Sequence, residues 1–250
     1  MQVLILAGTA EATALARLLE GHPVLEATLS LAGRTTRPAR STLPRRSGGF
    51  GGVAGLTDYL RRNRVGALVD ATHPFAARIS ANAEPAAAAA GIPLVALTRP
   101  PWTPQAGDRW VPVDSLDAAA EALRPLGHRV LVTTGRQELA PFERVPEKHY
   151  VVRTVDPPEP PPDLPDAVFL QGRGPFDMDS EATLMAEHGI EVLVTKNSGG
   201  DATRGKIDVA RERGVPVVMV QRPARPEAVP ALHDPAAVLR WLEERAGAPH

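Results

Sequence analysis

The sequence predicts an α/β protein made of two Rossmann-like domains, each with an open parallel sheet. Short, continuous apolar runs alternate with helical segments along nearly all of the 250 residues, which is typical of parallel strands buried on both faces. The stretch Arg99–Pro104 interrupts this alternation with three prolines. We therefore predict a domain junction there, with one domain at residues 1–100 and the other at residues 101–250.

The first domain is predicted to hold four buried strands separated by helices. The predicted strands are Val3–Leu6, Leu25–Leu31, Ala67–Asp70 and Leu94–Leu97. The predicted helices are Ala10–Leu19, Leu56–Arg64 and Phe75–Ala90. Pro74 and Gly91 flank the third helix, as expected because proline favours the first helical turn and glycine the position after the last.

The second domain repeats the alternation. Its predicted strands are Arg129–Thr133, Tyr150–Val155, Ala167–Gln171, Val192–Thr195 and Val217–Val220. Its predicted helices are Leu116–Leu123, Met178–His188, Thr203–Arg213 and Ala236–Arg245. The proline-rich tract Asp156–Pro165 lies between two strand patterns, which indicates a stiff surface loop.

The composition excludes several classes of function. The chain has 28 basic and 29 acidic side chains, so neither nucleic acid nor a membrane is an expected partner. Cysteine is absent, which excludes disulfides, thiolate zinc sites and iron–sulfur clusters. His73 has no second histidine at the spacing of metal ligands, and the sequence contains no His-Glu-x-x-His motif. No metal site is therefore predicted. The short apolar runs fit neither a signal peptide nor a membrane span, and we expect a cytoplasmic protein.

Positive charge is concentrated in the first domain, where residues 1–100 hold 11 arginines and 6 acidic residues. Five of these arginines follow one another without an acidic residue between them: Arg34, Arg37, Arg40, Arg45 and Arg46. The segment is either a solvated loop or a surface that meets a polyanionic small molecule, since the guanidinium fork matches phosphate and carboxylate.

The residues after the strands are the candidate ligand contacts, because ligands bind beyond the carboxyl ends of the strands in open α/β sheets. These segments are rich in Gly, Ser, Thr, Asn and Arg, which suit an anion. In the first domain they are Gly8–Ala12, Ser30–Arg34 and Asp70–Pro74. In the second domain they are Thr133–Arg136, Gly172–Pro175 and Thr195–Asp201.

Several of these segments have a second interpretation. The Gly8 turn has one glycine where the dinucleotide fingerprint has three, so it is either a plain turn or a phosphate site. Thr72 or His73 could simply cap the following helix, and Asp201 could cap the helix predicted from Thr203. Arg34 stands where a carboxylate would bind a ribose hydroxyl, which favours NADPH over NADH.

Five stretches taken together resemble the precorrin-6A reductase family. They are Leu4–Ala12, Val69–Ala76, Thr134–Arg136, Thr195–Gly200 and Lys206–Ala210. The strings Asp-Ala-Thr-His-Pro-Phe-Ala and Thr-Lys-Asn-Ser-Gly-Gly are the specific parts of the resemblance. Their order and spacing cover nearly the whole chain.

The resemblance implies an NADPH-dependent oxidoreductase of cobalamin biosynthesis. Such an enzyme reduces a ring double bond of precorrin-6A, a tetrapyrrole macrocycle with many carboxylates, to give precorrin-6B. The family architecture places the cofactor in the cleft between the two domains, and transient contacts with other pathway enzymes are expected. The alternatives are a cobalt-precorrin-6A reductase of the anaerobic branch, a nucleotide-dependent transferase and a non-enzymatic dinucleotide sensor.

The resemblance and the strand ends together assign site residues. The predicted cofactor contacts are Gly8, Thr9, Ala10, Glu11, Ser30, Arg34, Thr72, His73, Thr134, Gly135, Arg173, Asn197, Ser198 and Gly199. The predicted substrate contacts are Arg37, Arg136 and Lys196. Lys196 and Asp201 are the predicted catalytic residues, with Asp201 orienting the substrate or relaying the proton unless solvent supplies it.

Overall fold

The computed structural model describes residues 1–32, 41–225 and 228–247. It divides into two compact units. Unit 1 comprises Met1–Pro100 and Pro223–His250, and unit 2 comprises Pro101–Arg222. The predicted second domain, residues 101–250, therefore differs from unit 2 at its end, because the chain beyond Arg222 packs with unit 1.

The described residues form helices and parallel strands in alternation. The strands are β1 Gln2–Leu6, β2 Glu26–Leu31, β3 Arg45–Ser47, β4 Val65–Asp70, β5 Leu94–Leu97, β6 Trp110–Val113, β7 Arg129–Val132, β8 His149–Thr154, β9 Ala167–Gln171, β10 Val192–Lys196, β11 Val217–Val220 and β12 Ala231–Leu232. The α-helices are α1 Ala10–Leu19, α2 Gly52–Arg62, α3 Ala77–Ala90, α4 Leu116–Ala122, α5 Met178–Glu187, α6 Gly205–Glu212 and α7 Pro235–Gly247. Short 3₁₀ helices cover Ala140–Arg144 and Asp201–Thr203.

Unit 1 has a parallel sheet in the order β3-β2-β1-β4-β5-β12 among its described residues. This is the strand order of a doubly wound nucleotide-binding fold. Helices α1 and α7 pack on one face of the sheet, and α2 and α3 pack on the other. The predicted α/β class with open parallel sheets is confirmed.

Helix α7 completes the core of unit 1 although it follows unit 2 in the chain. Its Val238 and Leu242 are fully buried in the same cluster as Leu15 and Leu19 of α1. Strand β12 pairs in parallel with β5 and adds the outermost strand. The C-terminal segment thus belongs to the first sheet through both a helix and a strand.

Unit 2 has the equivalent order, β9-β8-β7-β10-β11-β6, in the part of the chain that the structure describes. Helices α5 and α6 cover one face of this sheet, where they pack against strand residues such as Leu131 and Leu193. Asp177 caps α5 by accepting from the Ser180 N–H at 2.8 Å, a bond that lowers the pKa of Asp177. The outermost strand β6 comes first in this unit, where a simple repeat of unit 1 would place it last.

Three strands were not predicted, and each is short and lies at or next to a sheet edge. Strand β3 carries two arginines and β6 contains Pro112, so neither shows a continuous apolar run. Helix α2 begins at Gly52, before the predicted start, because Gly51 and Gly52 turn the chain with φ of 82° and 88°. Helix α3 begins at Ala77 after a turn closed by a bond from Ala76 N to His73 O at 2.7 Å. No helix in the described residues is both long and apolar enough to cross a bilayer.

Candidate functional site

The carboxyl edge of unit 1 has a switch point between β1 and β4. The chain proceeds from β1 to β2 and β3 on one side, and then returns to β4 on the other side. Such a point opens a crevice for a ligand. Leu6 is in register with Ser30 on β2 and with Asp70 on β4, so this row is the last one of β1 and β4.

Thr9 ties the two sides of this switch point together. Its hydroxyl donates to Ala71 O at 2.9 Å and accepts from Ala12 N at 3.1 Å, which makes it the N-cap of α1. Gly8 is exposed, and a Cβ added to it would meet no atom within 4 Å. The glycine therefore leaves open space in front of a capped helix N-terminus, where an anion binds favourably.

Glu11 lies in the first turn of α1, where its negative charge would repel a phosphate. The Arg99 guanidinium lies 3.4 Å from the Glu11 carboxylate and forms an ion pair with it. Both side chains are largely buried, which strengthens the interaction. The pair offsets the acidic charge at the point where the predicted phosphate site begins.

Thr72 and His73 follow β4, and neither caps a helix. The Thr72 hydroxyl donates to Asp70 Oδ1 at 2.6 Å, and the N-cap residue of α3 is Ala76, which makes no side-chain cap bond. His73 Nδ1 accepts from Phe75 N at 3.3 Å. The interpretation of this segment as a helix cap is therefore wrong, and Thr72 instead stays beside the switch point.

Ser30 is the next-to-last residue of β2, and it is bonded to an arginine other than the predicted Arg34. Its Oγ accepts from Arg46 Nη1 at 2.7 Å. Arg34 and Arg37, predicted to bind cofactor and substrate, lie outside the described residues. Among the described residues, Arg46 is thus an arginine that bonds directly to Ser30 at this edge of the sheet.

Unit 2 has a second switch point, between β7 and β10. Thr133 Oγ1 donates to Thr195 Oγ1 at 3.0 Å across these strands. The neighbouring Thr134 is 6% exposed, and its hydroxyl has no hydrogen-bond partner among the described residues. Gly135 follows with a φ of 118°, which only glycine adopts readily. A buried hydroxyl without a partner indicates a place for a polar ligand group.

Lys196 ends β10 on the other side of this switch point. It is 8% exposed, and its ammonium forms an ion pair with the Glu138 carboxylate. Glu138 lies in the turn after β7 and was not predicted, since no local pattern connects it with Lys196. The structure therefore adds a carboxylate to the predicted basic site.

Asn197 has a structural role. Its Oδ1 accepts from Trp102 N at 2.8 Å and its Nδ2 donates to Trp102 O at 3.0 Å. Arg222 supports the same loop by donating to Asn197 O at 2.7 Å and Ser198 O at 2.8 Å. These contacts use the Asn197 amide for positioning, which differs from the direct cofactor contact predicted for it.

Gly199 is buried and Ser198 half-buried, whereas the predicted Asp201, Arg173 and Arg136 lie nearer to solvent. Asp201 is exposed at the start of a 3₁₀ helix, and the N-cap of α6 is Arg204, so Asp201 does not cap that helix. Arg173 is exposed, and Arg136 Nη1 donates to Pro157 O at 3.2 Å. Within the described ranges, no three carboxylate or imidazole side chains gather as a metal site would need.

Comparison with known proteins identifies the family. A family model described as precorrin-6x reductase CbiJ/CobK matches residues 2–243. The chain belongs to the precorrin-6x reductase family. It is 46% identical to the precorrin-6A reductase of Rhodobacter capsulatus over 99% of this chain and 98% of that protein.

Solved and more distant relatives agree with this assignment. A solved CobK precorrin-6A reductase superposes with a TM-score of 0.91 and 45% identity, covering 100% of this chain and 99% of its own. The cobalt-precorrin-6A reductase of Salmonella typhimurium is 30% identical over 88% of this chain and 87% of that protein. As a member of the precorrin-6x reductase family, the protein is an oxidoreductase of cobalamin biosynthesis.

Proposed function

We propose that the protein is an NADPH-dependent precorrin-6A reductase that forms precorrin-6B. The reaction adds one hydride and one proton across a ring double bond and releases NADP⁺. The main support is the open Gly8 turn at the β1/β4 switch point in a chain 46% identical to a named precorrin-6A reductase. The lower identity to the cobalt-precorrin enzyme favours the metal-free substrate.

The edge of unit 1 fits the pyrophosphate and adenosine part of the cofactor. The N–H groups of Ala10 and Glu11 lie in the first turn of α1, where no helical carbonyl precedes them. Gly8 lets the ligand approach the backbone, and Thr9 fixes the turn against β4. Ser30 and Arg34 are proposed to hold the 2′-phosphate, and Thr72 and His73 to lie near the cofactor. When bound, NADPH supplies the hydride.

The edge of unit 2 fits the nicotinamide half or the carboxylates of the macrocycle. Thr134 and Gly135 offer a hydroxyl and an accessible backbone at the second switch point. Arg136 and Lys196 bear the positive charge that acetate and propionate groups need. Arg173, Ser198 and Gly199 stay proposed contacts from the neighbouring loops.

The proton has one well-placed candidate donor. Lys196 is buried at the strand end and keeps its ammonium beside Glu138. An acid that works at neutral pH through a carboxyl group needs burial, whereas Asp201 is exposed. We therefore assign the proton transfer to Lys196 and retain Asp201 for orienting the substrate.

The test is a spectroscopic assay with the purified protein. When it is mixed with NADPH and metal-free precorrin-6A, the absorbance of the reduced nicotinamide should decrease at the rate at which the reduced macrocycle forms. A parallel reaction with cobalt-precorrin-6A ranks the two substrates by kcat/KM. Reduction of only the cobalt form would replace the proposed substrate, and tight NADPH binding without turnover of either macrocycle would favour a dinucleotide sensor.

A further inference from the structure

Arg46 is held in one orientation at the carboxyl edge of unit 1. Its Nη1 donates to Ser30 Oγ at 2.7 Å and to Gly48 O at 3.0 Å, and its Nη2 donates to Gly49 O at 2.9 Å. The guanidinium carbon lies 3.8 Å from the centroid of the Phe50 ring. These contacts use three of the five N–H donors of an arginine, so the group is fixed and still has donors to offer.

The position of Arg46 in the sheet corresponds to the adenosine ribose of a bound dinucleotide. Arg46 is in register with Ser30, and Ser30 with Leu6, so Arg46 lies two strands from β1 on the row where β1 ends. Two strand spacings amount to about 10 Å. In this strand order the ribose extends from the first turn towards the second strand, where its 2′ substituent is recognised.

The lack of acidic residues in the sequence around Arg46 favours NADPH over NADH. No acidic residue occurs between Glu26 and Asp58 in the sequence. A carboxylate is the usual partner of a free ribose 2′-hydroxyl at this position, and an arginine is the usual partner of a 2′-phosphate. Among the described residues no carboxylate pairs with Arg46, and the Glu20 carboxylate that reaches this segment is bonded to Ser41 and Thr42. A fixed guanidinium of this kind suits a phosphate monoester.

We propose that Arg46 is a specificity-determining residue which, in addition to Arg34, selects the 2′-phosphate of NADPH against the 2′-hydroxyl of NADH. The Ser30 hydroxyl, which accepts from Arg46, contributes its own hydrogen to the same phosphate. The inference rests on the proposed function, since it requires a nicotinamide dinucleotide at the edge of unit 1. The competing role for Arg46 is a purely structural one, in which it only fastens the glycine turn after β3.

Binding measurements without turnover separate these two roles. Arg46→Ala, Arg46→Lys and the wild-type chain are titrated with NADPH and NADH, and also with 2′,5′-ADP and 5′-AMP. The control is Arg62→Ala, which removes an 80% exposed arginine of α2 that is paired only with Asp58 at 3.5 Å among the contacts described. Thermal unfolding of each variant establishes that it is folded.

Arg46→Ala should weaken NADPH and 2′,5′-ADP roughly ten- to a hundredfold, because a charge-assisted contact is lost. Its affinity for NADH and 5′-AMP should stay at the wild-type value, as should all affinities of Arg62→Ala. Arg46→Lys should recover part of the preference, since it keeps the charge but not the fork. The wild-type preference should also decline below about pH 6, where a phosphate monoester loses its second charge.

Equal losses for both dinucleotides in Arg46→Ala would overturn the proposal in favour of the structural role. An undiminished preference in Arg46→Ala, together with its loss in Arg34→Ala, would transfer the role to Arg34. In both cases the proposed function survives, because the wild-type chain still binds NADPH. A wild-type chain that binds neither dinucleotide overturns the inference and the proposed function together. If Arg46→Ala does not fold, Arg46→Lys decides the question.

Discussion

At the scale of single residues, the site of unit 2 depends on a contact between two charges far apart in the sequence. Lys196 is nearly buried at the end of β10, and the Glu138 carboxylate keeps its ammonium beside the switch point. An ion pair with little solvent around it holds its geometry better than an exposed one. For this reason we propose Lys196 for the proton transfer rather than Asp201, which is exposed.

Substitution of Lys196 should separate chemistry from cofactor binding. A positioned general acid contributes about a hundredfold or more, so Lys196→Gln should lower kcat by at least that factor. NADPH affinity, measured by titration, should change little. Asp201→Asn serves as the comparison: because Asp201 is proposed to orient the substrate, we expect a raised KM with a kcat near that of the wild type. A large loss in Asp201→Asn with none in Lys196→Gln would reverse the two roles.

Part of the site can be predicted from the sequence because it follows a short-range rule. Gly8 and Thr9 come directly after the first apolar run, and Thr134 and Lys196 directly after or at the ends of later ones. Glu138 could not be found in this way, since its partner is on another strand. Arg46 could not be distinguished from the other four arginines of its segment, because its place beside Ser30 depends on β3. That strand has only three residues and no apolar run that would predict it.

At the scale of elements, a buried ion pair joins β8 to α5. Arg153 makes two bonds to the Glu181 carboxylate, at 2.9 and 2.7 Å, and the Glu181 side chain is fully buried. The ring centroid of Phe176 lies 3.9 Å from the Arg153 guanidinium carbon. Such a pair gives orientation rather than much net stability, but breaking it leaves a charge without compensation.

Glu181→Gln should therefore destabilise the protein by about 3–5 kcal/mol. The double variant Arg153→Met with Glu181→Leu should recover much of that loss, because no unpaired charge remains. Denaturant unfolding measures both, with Glu187→Gln at an exposed position of α5 as the control. A Glu181→Gln variant as stable as the control would mean that Arg153 finds another partner.

The elements that the sequence predicts well are the central strands. Runs such as Val192–Val194 are apolar throughout because both faces of β10 are covered. Peripheral strands β3, β6 and β12 face fewer neighbours, so arginine and proline are tolerated and the pattern disappears. Helix starts shift for a related reason, since the glycines before α2 and the turn before α3 fix them locally.

At the scale of the whole molecule, unit 1 is built from both ends of the chain. The boundary near residue 100 follows from a local break in the pattern, but the return of residues 223–250 to the first unit does not. Helix α7 is amphipathic and would fit the core of either unit by its sequence. Only the pairing of β12 with β5 and the packing of Val238 and Leu242 decide where it belongs.

A fragment of residues 1–100 should therefore fail to fold on its own. It lacks β12 and α7, so Leu15 and Leu19 of α1 lose the side chains that bury them. Residues 1–100 joined to residues 223–250 through a flexible linker should regain cooperative unfolding in circular dichroism. Cooperative unfolding of residues 1–100 alone, with the stability of the joined form, would show that the C-terminal segment adds little.

The pairing of β12 with β5 has a consequence for biosynthesis of the chain. The ribosome synthesises β12 after every strand of unit 2. The sheet of unit 1, whose first strands are made earliest, is therefore completed last. A chain that terminates early leaves β5 as an open border with unpaired backbone groups.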